Sequence, residues 1–179
     1  MSGIPKRSPA PHWTAVVAAA AALTLSLVAA AANAVVGRSS SAAIHARVVE
    51  LVNDARSHAR RCGSERFTAA APLNVSTKLN DAAERHARDM ARKRFFEHRG
   101  SDDSEPRDRV LRAGYRSRLT GENIAFGPES AEEVVAGWLK SPGHCANIMD
   151  SRFRDIGVGL ANGPKRGQIY WVQDFGAPR

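Results

Sequence analysis

Ser141, His144 and Cys145 fall within one five-residue stretch, and hydroxyl, imidazole and thiol are the groups that nucleophilic catalysis uses. The rest of the sequence does not support that use. No Gly-x-Ser-x-Gly elbow occurs in the chain to expose a serine hydroxyl on a strained turn. Cys145 has a single companion, Cys62. In an exported chain an even cysteine count reads as a disulfide, which removes the thiolate that a cysteine nucleophile requires. Two free thiols are the alternative reading. A bridge between these positions would stabilise the fold by about 4–5 kcal/mol through loop-closure entropy. No glycine-rich phosphate cradle is present either, so nothing points to nucleotide chemistry. No catalytic residue is assigned.

Export is read from the first segment. Lys6 and Arg7 precede an apolar run from Trp13 to Ala32, which closes on Ala32-Asn33-Ala34. A basic start, an apolar stretch and a small-x-small site are the parts of a secretory signal peptide, here residues 1–34. The run is also about 20 residues long, enough to cross a bilayer as an uncleaved anchor. It is rich in Ala and interrupted by Thr14, Thr24 and Ser26, which favours cleavage. Either way the functional part lies outside the membrane, secreted or held on its outer face.

Lys and Arg number 26 against 18 Asp and Glu, a formal charge of +8. Such a balance favours anionic surfaces, among them acidic envelope polymers and phospholipid headgroups. The cations are dispersed in short groups such as Arg60-Arg61 and Arg92-Lys93-Arg94, beside acids, as on solvated helix faces. Nucleic acid is not an expected partner.

The elements that must position any site follow from periodicity. After a linker (residues 35–43), Ile44, Val48, Leu51, Val52 and Ala55 recur at helical spacing, and this helix is expected to end near Arg60-Arg61-Cys62-Gly63. Ser76 caps a second helix over Thr77 to Lys93, with Leu79, Ala82, Ala83, His86, Met90 and Ala91 on its apolar face. His86 reads there as a packed core histidine. A short third helix spans Glu105 to Ala113, capped by Ser104 and stopped by Gly114. Ser130 to Glu133 forms a capping box for a fourth, which Pro142-Gly143 ends. Ile156 to Leu160 and Ile169 to Gln173 read as an antiparallel hairpin around a Gly-Pro-rich turn. Trp138 and Trp171 read as core. The fold class is α+β, about four helices covering a small antiparallel sheet.

Five strings in order resemble bacterial members of the CAP superfamily (cysteine-rich secretory, antigen 5, pathogenesis-related 1). They are Leu79 to Met90, Phe95-Phe96-Glu97-His98, Gly121-Glu122-Asn123-Ile124-Ala125, Trp138 to His144, and the pair Ile156 to Gly159 with Tyr170 to Gln173. The resemblance covers about residues 44–176, within a domain of 44–179. It implies an α-β-α sandwich and a shallow cleft where two histidines and two acids can hold a divalent metal. This chain supplies His98, Glu122 and His144 for that set. Ser141 stands where family members that carry the second acid place Glu. Two imidazoles and a carboxylate are a ligand combination that zinc accepts, so zinc or another divalent ion is the expected cofactor if any is bound. The alternative for Glu122 is a turn organiser after Gly121, with Asn123 and Asn147 as loop and helix-end organisers.

The expected function is an extracellular, non-enzymatic binding module for lipid or an anionic envelope component, acting as a monomer. A metal-dependent hydrolase centred on His98, Glu122 and His144, and a structural or stress-protective surface protein, are the two competing readings.

Overall fold

Helix α2 (Thr77–Lys93) sets the architecture, and its sequence explains why it forms. Ser76 holds an extended backbone and its hydroxyl accepts from the Leu79 amide, satisfying one free N–H of the first turn. Leu79, Ala82, Ala83, Ala87, Met90 and Ala91 fall on one side and are buried. Small alanines on that stripe let the helix approach its sheet closely. Opposite them stand Gly157 and Gly159. A Cβ on Gly157 would come within 2.1 Å of the Leu79 carbonyl carbon, and one on Gly159 within 2.3 Å of the Ala83 carbonyl carbon. Helix main chain thus lies directly on strand main chain. Gly157→Ala is expected to cost about 1–3 kcal/mol or more, because backbone cannot turn aside as a side chain can. Urea denaturation checks it, and an unchanged midpoint would mean that α2 rides higher than described.

The computed structural model of the chain describes residues 41–179, of which 43–179 form one compact unit. The expected signal peptide and the first part of the expected linker lie outside the described residues; the end of that linker, residues 41–43, is already helical. Helix α1 runs through residues 41–56. Then come β1 (Arg60–Cys62), β2 (Glu65–Phe67), β3 (Asn74–Val75), α2, α3 (Pro106–Arg112), β4 (Ser117–Phe126), α4 (Ala131–Lys140), α5 (Pro142–Met149), β5 (Asp155–Asn162) and β6 (Ile169–Pro178). No helix among the described residues is long and apolar enough to cross a membrane.

The sheet order is β3-β5-β6-β4, with β6 antiparallel to both neighbours and β3 parallel to β5. One face carries α1, α4 and α5, packed through Val48, Val52, Val134, Trp138, Ile148 and Met149 onto Val158, Trp171 and Phe175. The other carries α2, whose alanines and Met90 meet Ile124, Tyr170 and Val172. This is the α-β-α sandwich, and Trp138 and Trp171 are core at 1% exposure. The alternation of Tyr170 and Val172 with Trp171 between the two clusters is the period-two pattern of a strand buried on both faces.

Several sequence expectations need correction. There are five helices among the described residues, since Pro142 both follows α4 and occupies the first turn of α5, where its missing N–H costs nothing. The first helix ends at residue 56, and Arg60 to Cys62 pair with Glu65 to Phe67 as a hairpin. Glu105, not Ser104, caps α3, in a reciprocal box with Asp108. The sheet is mixed rather than purely antiparallel, and Gly121 to Ala125 are strand rather than loop. Cys62 and Cys145 do form the disulfide, which joins the β1–β2 hairpin to α5.

Candidate functional site

Strand β4 is an edge strand, and the site is built across that edge. Glu122 pairs in register with Asp174 of β6, and Asn123 with Gln173. Side chains alternate, so Glu122 shares the α2-facing side with Ile124 while Asn123 faces α5. The exposed edge is closed by side chains: Asn147 Nδ2 donates to the Glu122 carbonyl (3.2 Å) and Trp138 Nε1 to the Ile124 carbonyl (3.1 Å). These bonds stop β4 from templating a foreign strand. Gly121 lacks a side chain because Phe153 fills that space, with its ring 2.7 Å from where a Cβ would sit.

Glu122 is the centre. Its side chain is 1% exposed, a burial that an ionised carboxylate tolerates only with partners. His98 Nδ1 lies 2.8 Å from Oε1, and Arg109 donates to Oε2 at 2.6 Å. Arg109 comes from α3, is itself buried, and also donates to the Ser104 and His98 carbonyls. It thereby fixes the loop that carries His98. Beside Glu122, Asp174 is fully buried with neither carboxylate oxygen hydrogen-bonded to a donor. Burial, then the neighbouring negative charge of Glu122, holds the Asp174 carboxyl well above its ordinary range.

On the other side of the edge, Asn123 donates to Gln173 Oε1 (2.9 Å) and to the His144 carbonyl (3.2 Å), and accepts from Asn147 Nδ2 (2.9 Å). Asn147 and Asn123 therefore organise the site, as the sequence suggests, but from a helix and a strand. Arg56, wholly buried at the end of α1, donates to the carbonyls of Ile148 and Asp150 and pins the C-terminal end of α5, the helix that presents His144. His86 is core, at 1% exposure, with Nε2 against the Glu97 carbonyl at 2.9 Å.

The histidines titrate in opposite directions. The Glu122 hydrogen bond raises the pKa of His98 above 6.5. Burial, and then the positive charge of His98, lowers that of His144, and burial lowers that of His86. His98 pairing thus contributes fully below pH 6.5 and fades as pH rises through its elevated pKa. His144 and His86 oppose folding as pH falls below 6.5, where the unfolded imidazoles protonate first. Among His86, His98 and His144, imidazole NMR titration should place His98 highest, and Glu122→Gln should bring it down. A His98 value unmoved by that change would refute the pairing.

The arrangement does not fit the three-ligand metal set drawn from the sequence. Among the described residues no group of three or more His, Cys, Asp and Glu side chains is placed to hold a metal ion. Both Glu122 oxygens are engaged, one by a guanidinium whose positive charge opposes a cation there. His98 spends Nδ1 on Glu122, leaving only Nε2 outward. Arg109 and Asp174 escaped the sequence reading. Arg109 sits in a run of charges, Arg107-Asp108-Arg109, that looks like a solvated face; the signal for Asp174 was an acid at an inward position of an apolar strand.

Residues 49–175 match the cysteine-rich secretory protein family, CAP. The chain is 35% identical over 137 residues to the uncharacterized Bacillus subtilis protein YkwD, covering 76% of this chain and 48% of that one. It also resembles the structure of an extracellular protein containing an SCP domain from Bacillus anthracis, with a TM-score of 0.55 and 28% identity over 60% of this chain and 34% of that one. An outer surface protein of Borrelia burgdorferi shares the fold at a TM-score of 0.55 and 24% identity, over 60% of this chain and 78% of that one. The chain thus spans about half the length of its Bacillus subtilis relative and a third of the Bacillus anthracis structure. With the sandwich, the edge-strand Glu122 and these matches in agreement, the chain belongs to the CAP family of cysteine-rich secretory proteins.

Proposed function

We propose that this chain is an extracellular binding module that takes an apolar or lipid-like envelope ligand without chemically changing it. The observation that carries the reading is an exposed aromatic pair beside the site. Phe96 and Phe126 are 46% and 45% exposed, with ring centroids 6.2 Å apart. Phe126 continues onto Tyr170 at 4.7 Å. Phe96 lies two residues before His98 on the loop that Arg109 holds, and Phe126 ends the strand that carries Glu122. Two large rings held in water by a rigid frame lose hydrophobic free energy until something covers them.

The polar centre supports binding over catalysis. Both Glu122 oxygens are engaged, one by His98 and one by Arg109, so the residue serves as the strut on which the His98 loop stands. Extracellular placement accords with the disulfide, which persists in oxidising compartments. It also accords with the descriptions of the Bacillus anthracis and Borrelia burgdorferi proteins as extracellular and outer surface proteins.

Retention of a fluorescent fatty acid by the purified chain tests the reading. The parent should hold it, and Phe96→Ser combined with Phe126→Ser should weaken it about tenfold or more, as expected for losing two aromatic contacts. Retention unchanged in the double variant would overturn the assignment.

A further inference from the structure

A second surface, whose lining includes neither Phe96 nor Phe126, has the chemistry of a binding groove. Three depressions share residues and run into one trough. The central one, about 690 Å³, lies between α2 and the end of β5. It shares Asn162, Gly163 and Pro164 with a neighbour near Lys165 and Arg166, and Arg85, Asp89 and Arg92 with another that reaches Arg109 and Arg112.

The central trough is lined by Arg85, Arg88, Arg92 and Arg94 against one acid, Asp89. That acid is engaged elsewhere, accepting from the Ser101 amide (2.9 Å) and hydroxyl (2.7 Å). Arg88 is paired with Glu84. Arg85, Arg92 and Arg94 are exposed, and none of them has a carboxylate at ion-pairing distance among the described residues. The sequence shows only an ordinary mixed helix face here; in the fold Ser101 engages Asp89, Arg88 engages Glu84, and the other guanidiniums are left together.

Arg94 adds an independent sign. It caps α2 in the left-handed conformation, φ 60°, where glycine is the usual residue. A bulky cation occupies a position whose backbone favours Gly, and its side chain lines the trough.

We propose that this trough binds an extended, phosphodiester-linked polymer that lacks nucleobases. Guanidinium forks pair phosphate oxygens in bidentate fashion. Arg85, Arg88 and Arg92 succeed one another at about one helical turn, roughly 5 Å, so the partner carries charge at every linkage. A concave trough does not mate with a planar bilayer surface. Single-stranded nucleic acid would want aromatic platforms for its bases, and the lining offers none.

Fluorescence polarisation with a labelled glycerol-phosphate oligomer tests the proposal in the full chain. The oligomer should bind more tightly than orthophosphate, with affinity falling steeply as salt rises. Arg85→Gln with Arg92→Gln should weaken it about tenfold or more. Arg94→Gly should weaken it too while leaving the melting temperature equal or higher, which separates lost binding from lost folding. Phe96→Ser with Phe126→Ser should leave it unchanged, so this proposal and the apolar-ligand reading fail independently. Absence of binding at low salt, or binding undiminished in the arginine variants, would overturn the proposal. So would equal or tighter binding of an oligothymidylate, of a uronic-acid glycan, or of phosphatidylglycerol vesicles.

Discussion

Replacing both cysteines, Cys62→Ala with Cys145→Ala, should lower stability by about 4–5 kcal/mol. The bridge closes a loop of 83 residues, and the unfolded chain regains that freedom when it is cut. For a domain of this size the melting temperature should fall by about 10–15 °C. The bridge does more than close a loop, because β1 and β2 are otherwise a two-stranded hairpin with its own small sheet. At that hairpin's turn a Cβ on Gly63 would sit 3.0 Å from Pro142, so the turn rests on the first residue of α5. Alanine is the appropriate replacement, since both half-cystines are buried and a serine hydroxyl there would add its own penalty. Calorimetry of the double variant and of the reduced parent should agree. A fall below about 2 °C in both would mean that Arg56 and the surrounding apolar contacts alone hold α5.

Glu122→Ala should cost about 3–5 kcal/mol, the penalty for leaving a buried ion without its partner. Arg109 is 8% exposed, and without Glu122 it would keep only the carbonyls of Ser104 and His98. Glu122→Gln preserves the volume and removes only the charge, so it should lose most of the same free energy. A loss under about 1 kcal/mol in either variant would identify Asp174 as the substitute. Relieved of its neighbour's repulsion, that carboxyl would ionise and serve Arg109 itself. Chemical denaturation at neutral pH separates the two outcomes.

What the sequence made legible follows from where local rules and tertiary demands agree. Helix α2 carries its cap at Ser76 and a largely apolar stripe at helical spacing, so its bounds are legible in the sequence. The Cys62–Cys145 pairing needed only a count and a compartment. Strand β4 carries no local strand signature at its centre, because Gly121, Glu122 and Asn123 are poor strand formers and show no apolar alternation. They are strand because β6 and the side chains of Asn147 and Trp138 supply the hydrogen bonds that propensity does not. Helix α5 was hidden by Pro142-Gly143, which ends one helix and starts the next. At the site, Glu122 and His98 are legible as residue types, whereas the role of Glu122 depends on Arg109 beside it. A long-range partner inside a charged run leaves no local mark.

The order of strands has a consequence for how the molecule comes into being. Strand β6, latest in sequence, lies between β5 and β4, so no hydrogen bond joins those two until residues 169–178 arrive. Trp171, Val172 and Phe175 on that strand also bring the cores of both faces together. An emerging chain therefore stays open along nearly its whole length and closes in one late event. Resistance to proteases is therefore expected to appear only when residues 169–178 have paired with both neighbours.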